Sequence, residues 1–165
     1  MTGSSGLAFI GLGSNVGEKR KNLERALDAL ERAGVQMVLQ SSLYSTEPVD
    51  LLDQEEFLNQ VVGCRSPLPL DRLLGLCLEI EPLLGRVRTR DKGPRLIDLD
   101  LLLYRDEVRR SGGIEVPHPR MHLRRFVLVP LVEIAPGAWH PVLKMTAADL
   151  LAHCPDRSRV ERLAV

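Results

Sequence analysis

The sequence predicts a single α+β domain, and three observations carry that expectation. The chain has 165 residues, of which 44% are hydrophobic and 27% charged, a length and mix that can bury one core. Stretches with strand-like alternation are interleaved with stretches whose apolar residues recur at helical spacing. Glycine and proline punctuate the boundaries, with no internal repeat, low-complexity segment or linker to divide the chain into two domains. Basic and acidic residues balance at 22 each, which argues against binding nucleic acid through bulk charge but leaves a local patch open. No apolar run approaches the roughly 20 residues that cross a bilayer. The polar start "MTGSSG" has no signal-peptide pattern, so residues 1–6 are expected to be disordered and the protein cytoplasmic. Cys64, Cys77 and Cys154 match no zinc or disulfide spacing and are expected to be buried free thiols.

Residues 7–13, "LAFIGLG", read as a first strand. A helix follows, with Leu23, Ala26, Leu27 and Leu30 on one stripe and Gly34 placed to stop it. Residues 35–44 read as a second strand and residues 45–56, with Pro48 and several acidic residues, as a loop. The third strand, 57–65, puts Phe57, Asn59 and Val61 on one face and Leu58, Gln60 and Val62 on the other. A second helix carries Leu73, Leu74, Cys77, Ile80, Leu83 and Leu84 at helical spacing, with Pro82 disturbing the last turn and Gly85 as its stop. Residues 86–92, "RVRTRDK", form a basic loop before a fourth strand. Residues 106–119 suggest a hairpin, and residues 124–136 and 145–154 two further helices, the second capped by Thr146. The order is βαββαβ with a C-terminal helical and hairpin elaboration, which is the ferredoxin-like plan in three α/β/α layers.

The fourth strand, within "GPRLIDLDLLLY", carries the chemistry. Asp98 and Asp100 share one face, while Ile97, Leu99, Leu101 and Leu103 are expected to form a core face opposite. Paired carboxylates repel each other and are costly to desolvate. Arg86, Arg88, Arg90, Lys92 and Arg95 lie just upstream, against one anion, Asp91. In one reading the arginines neutralise the aspartates in a structural network. In the other the aspartates hold divalent cations and the arginines hold phosphates on the same cations, since Mg²⁺ typically takes one or two carboxylates plus phosphate oxygens. The metal reading is placed ahead because the apolar opposite face suggests a central strand, where an acidic pair needs a partner.

These segments, together with "IGLGSNVG", "SSLYSTEPV", "FLNQVV" and "VPHPRMHLRRFVLVPLVEIAP", resemble the 6-hydroxymethyl-7,8-dihydropterin pyrophosphokinase family of folate biosynthesis, from about Leu7 to about His153. The resemblance implies transfer of pyrophosphate from ATP to the pterin hydroxymethyl group, with release of AMP and with ATP binding first. It implies that Asp98 and Asp100 bind two Mg²⁺ ions and that Arg86 and Arg95 clamp the phosphates. Glu81, Arg88, Leu101, His118 and Arg124 would line the ATP site with those arginines. Phe57 and Phe126 would sandwich the pterin and Asn59 would bond its edge, with backbone groups of Thr46 and Val49 completing the pocket. Planar guanidinium forks suit phosphates, aromatic rings stack on a flat heterocycle, and an amide offers both donor and acceptor.

Outside that resemblance each residue has a plainer reading. Phe57 and Phe126 would be core, Asn59 a strand-end bond, His118 a loop histidine, Arg124 a solvated helix start and Glu81 a surface partner of Arg86 or Arg88. The chain also departs from the family pattern. The basic loop is slightly shorter, Lys92 stands where a tryptophan is frequent, Pro119 replaces an aromatic, Leu78 a glutamine and Glu47 a proline. Segments 14–17, 45–54 and 86–94 have the glycine and proline content of loops that order over ligands. A monomer is expected, acting on small molecules rather than nucleic acid or membrane. The alternatives are a non-catalytic nucleotide-binding relative and a ferredoxin-like nucleic-acid-binding module.

Overall fold

The computed structural model describes residues 6–47, 55–84 and 96–164. Its elements are β1 (Ala8–Ser14), α1 (Lys19–Arg32), β2 (Gln36–Gln40), β3 (Tyr44–Thr46), β4 (Phe57–Arg65), α2 (Leu70–Leu83) and β5 (Asp98–Tyr104), followed by β6 (Arg109–Ser111) and β7 (Ile114–Val116). A 3₁₀ turn (Met121–Leu123), α3 (Arg125–Ile134), β8 (Trp139–His140), β9 (Met145–Thr146), α4 (Ala147–Ala152) and β10 (Val160–Arg162) complete the chain. The result is a mixed α/β structure. Its main sheet runs β10-β3-β4-β1-β5, with β2 pairing β4 beyond β3, and every pairing is antiparallel.

Alternation makes each central strand feed two cores. Ile10, Leu12, Val62, Leu99 and Leu101 meet Leu23 and Leu30 of α1 and Leu73 and Ile80 of α2. Phe9, Val61, Leu102 and Leu103 meet Val127 and Leu131 of α3 on the other face. The stripe of α1 is buried as expected. Gly34, at φ +94°, ends it: its N–H bonds the Glu31 carbonyl at 3.0 Å and the Val35 N–H reaches the Leu30 carbonyl at 3.1 Å. Only glycine takes that conformation without strain. The hairpin β6–β7 turns on Gly112 and Gly113, both at positive φ. Thr146 caps α4 as expected, its Oγ1 accepting the Asp149 N–H at 3.2 Å. The three cysteines are buried and free.

Four expectations need correction. Residues 35–44 do not form one strand. Ser41 accepts the Val61 N–H on its Oγ at 3.0 Å, and its carbonyl accepts Gln60 Nε2 at 3.0 Å. These side-chain bonds to β4 interrupt the regular ladder in the stretch from β2 to β3, and Tyr44–Thr46, partly assigned to the loop, is strand. Leu83 is 75% exposed, because the stripe of α2 continues from Ile80 to Leu84 and Leu83 is turned off it. On β5 the register shifts between the partners of Phe9 and Ile10, so Leu103 joins Leu102 on the α3 face instead of following Leu101. Finally, β5 is not central. Among the described residues it ends the sheet.

Candidate functional site

Residues paired across strands project from the same face of a sheet. On β1, Gly13 lies opposite Asn59 of β4 on one side and Asp98 of β5 on the other. Gly11 lies likewise between Val61 and Asp100. The aspartates, the two glycines and Asn59 therefore form one surface on the α3 side, the side on which Val61 packs. Phe57 and Thr46, paired with each other, extend it. Asp98 and Asp100 are half-buried. Among the described residues, no group of three or more His, Cys, Asp or Glu side chains comes together as a metal site.

Gly13 makes this surface possible. A Cβ there would lie 2.7 Å from Asn59 Oδ1 and 3.6 Å from the Phe57 ring. Glycine is needed for close approach here, not for an unusual backbone angle. Asn59 is buried and its Nδ2 donates to Thr46 Oγ1 at 2.5 Å, which fixes the amide. Phe57 is half-buried at the start of β4. Phe126 sits in the first turn of α3 against the α3-side core, and the Arg124 guanidinium lies 5.6 Å from its ring centre, within cation–π range.

His118 joins the same end of the molecule to β5, donating its backbone N–H to the Leu102 carbonyl at 2.8 Å. Its Nδ1 accepts the Arg120 N–H at 3.1 Å, which leaves Nε2 to carry the proton. Burial, with the Arg124 and Arg120 cations alongside, pushes its pKa down to about 4. The imidazole is therefore a neutral donor at pH 7.

Glu81 is not an ordinary surface charge. It is 5% exposed, and its Oε2 accepts the N–H of Leu99, the residue between the two aspartates, at 3.0 Å. Leu101 buries its side chain among the α1 and α2 core residues, on the face opposite the aspartates. Arg86, Arg88, Arg95 and Val49 lie outside the described residues, as do Gly85 and the whole basic loop. Of the three segments expected to order over ligands, 14–17 alone is fully described. It is a turn with Gly17 at φ +72°, held by Asn22 Nδ2, which donates to Ser14 Oγ at 3.1 Å and the Val16 carbonyl at 3.0 Å. Gly13 was missed as a site-forming residue, and Asn22 as the residue that holds the 14–17 turn. A polar residue on the buried stripe of α1 was the available signal for Asn22.

The family model of 7,8-dihydro-6-hydroxymethylpterin-pyrophosphokinase (HPPK) matches residues 9–136. The chain belongs to the HPPK family. It is 44% identical over 129 residues to the 2-amino-4-hydroxy-6-hydroxymethyldihydropteridine pyrophosphokinase of Bacillus subtilis, covering 78% of this chain and 77% of that protein. It is 40% identical over 158 residues to the Pseudomonas aeruginosa protein of the same name, covering 94% and 95%. The folic acid synthesis protein fol1 of Schizosaccharomyces pombe is 37% identical over 152 residues, which are 92% of this chain but only 21% of that much longer protein. Wild-type Plasmodium falciparum HPPK-DHPS shares the fold, with a TM-score of 0.70 and 17% identity over 88% of this chain and 43% of that one. The resemblance read from the sequence motifs is thus borne out. The HPPK match takes in all the described site residues, whereas β8, β9, α4 and β10 lie beyond it.

Proposed function

We propose that this HPPK-family chain transfers pyrophosphate from ATP to the hydroxymethyl group of 6-hydroxymethyl-7,8-dihydropterin, releasing AMP, as a step of folate biosynthesis. The observation that carries the reading is the row Asp98, Gly13, Asn59 with Phe57 beside it. Two strand spacings, about 10 Å, separate the acidic strand from the strand that recognises a ring edge. A small heterocycle with a reactive arm spans that distance.

Two half-buried carboxylates on one face suit Mg²⁺, which takes few protein ligands and keeps positions for phosphate oxygens and water. Asp98 and Asp100 would hold two such ions, which when bound supply charge neutralisation and a lowered pKa for a coordinated hydroxyl. Arg86 and Arg95 would clamp the phosphates of ATP, joined by Arg88 and Arg124. The neutral His118 would offer its Nε2 proton as a hydrogen-bond donor to ATP. Glu81 fixes the backbone between the aspartates, and Leu101 would serve ATP through its main chain, since its side chain is core. Phe57 and Phe126 would stack on the pterin, Asn59 would read its edge, and Thr46, with Val49, would complete the pocket while holding the Asn59 amide.

The sheet order β5-β1-β4, with β2 and β3 both on the far side of β4 and β10 added beyond β3, in a βαββαβ chain, supports the ferredoxin-like plan as one domain over residues 1–165. The zero net charge favours small-molecule substrates over nucleic acid, and the free buried cysteines suit a reducing cytoplasm, where the chain would act as a monomer. Product analysis with ATP, Mg²⁺ and the pterin tests the reading. AMP formed in step with the pterin pyrophosphate, and lost in Asp98→Ala and Asp100→Ala, is expected. ADP would mean attack at the wrong phosphorus, and ATP binding without turnover would favour a nucleotide-binding regulator.

A further inference from the structure

The segment after α4 lies beyond the family match and has no part in the chemistry above. Yet its contacts end beside both phenylalanines. On one side, Asp156 Oδ2 accepts the backbone N–H of Arg125 at 2.9 Å. Arg125 is the first residue of α3 and the neighbour of Phe126. A carboxylate there satisfies a free helix donor and complements the helix dipole. Asp156 Oδ1 accepts the Ser158 N–H at 2.9 Å and the Ser158 hydroxyl, and Arg125 Nη1 returns a bond to the Ser158 carbonyl at 3.1 Å. Burial alone would raise the Asp156 pKa, but these bonds from Ser158 and Arg125 outweigh it and keep the carboxyl below its ordinary range.

On the other side, the Arg159 N–H donates to Glu47 Oε1 at 2.8 Å, and the Arg159 carbonyl accepts the Glu47 N–H at 3.4 Å. The Arg159 guanidinium pairs with Glu56, the residue before Phe57, and Glu56 Oε2 also accepts the Ser45 hydroxyl at 3.0 Å. From there β10 runs along β3, with Val160 opposite Thr46, itself opposite Phe57. Only two residues lie between Asp156 and Arg159, a span of at most about 10 Å. The start of α3 and the adjoining ends of β3 and β4 are thus tied to one short strap.

We propose that Asp156 and Arg159 are positioning residues that set the separation of Phe57 and Phe126 and, through it, the affinity for the pterin. The inference rests on the reading above that these rings hold the pterin. It assigns the C-terminal strap to one substrate and not to ATP.

The test compares wild type with Asp156→Ala, Arg159→Ala, Asp156→Asn and Arg159→Lys. Equilibrium binding of 6-hydroxymethyl-7,8-dihydropterin is measured with a non-hydrolysable ATP analogue present. ATP binding alone and thermal unfolding are measured in parallel. Asp156→Ala is expected to weaken pterin binding about tenfold, as loss of a charged, multiply bonded acceptor does. Arg159→Ala, which removes a half-exposed ion pair, is expected to weaken it about threefold. ATP binding should stay unchanged, and the Asn and Lys variants should recover most of the loss. Pterin affinity unchanged in folded variants would overturn the inference, as would equal losses for both ligands. If Asp156→Ala does not fold, Arg159→Ala decides, because its side chain is at the surface. A wild type that binds no pterin would instead sink the functional reading, and this inference with it.

Discussion

The two faces of the main sheet come from the same strands and do different work. Toward α1 and α2, β1 offers Ala8, Ile10 and Leu12, and the face is core along its whole length. Toward α3, Leu7 just ahead of β1 and Phe9 on it are followed by Gly11 and Gly13, so the face is core at one end and open at the other. The neighbouring strands change at the same level, to Asn59 on β4 and to Asp98 and Asp100 on β5. A site arises here by withholding side chains from the middle strand while its neighbours turn polar. The uninterrupted face pays for the interruption, since it supplies the burial that the open end gives up.

The sharpest break in that contrast is at the acidic end. Asp98→Ala or Asp100→Ala should cut turnover on the order of 10³-fold, the scale of a lost electrostatic contact to the transition state. Thermal unfolding should hardly move, because both positions are half-buried. A collapse in stability instead would mean that the pair is structural. The opposite signature belongs to Ile10, fully buried on the other face. Ile10→Ala should cost about 2–5 kcal/mol in denaturant unfolding while leaving the KM values of the remaining folded enzyme alone.

Gly13 sits between these extremes. Gly13→Ala puts a Cβ against Asn59 Oδ1 and should displace that amide, raising the pterin Kd about tenfold with ATP binding unaffected. Calorimetric titration with each ligand separates the two. The smallest effect concerns His118. Its pKa is about 4 folded and about 6.5 unfolded, so the unfolded chain binds more protons between those values. Stability is therefore fully present above about pH 6.5 and falls as the pH drops toward 4. His118→Gln should flatten that slope of Tm against pH, and an unchanged slope would show that the imidazole is not held neutral.

Much of this was legible along the chain because it is local. Period-two alternation put Phe57 and Asn59 on one face of their strand and the two aspartates on one face of theirs, and helical spacing found the stripe of α1. What could not be read depends on partners distant in sequence. The break at Ser41 follows from Gln60 and Val61. The terminal place of β5 follows from sheet order, and the need for glycine at 13 follows from Asn59 on the next strand. Glu81 looked like a surface charge because its partner is a backbone group 18 positions away. β10 has only three residues, too few for alternation to show.

The hydrogen bond from Leu99 to Glu81 has a consequence for the behaviour of the protein in concentrated solution. β5 carries the apolar run "LDLLLY" along the margin of the sheet among the described residues, the kind of strand that recruits another chain. Glu81 occupies a donor on that margin, and His118 occupies an acceptor three residues along. The same carboxylate that steadies the acidic strand thus acts as a guard against edge-to-edge growth. Glu81→Ala should first betray itself in light scattering, as association that rises with concentration, before any loss of secondary structure is seen.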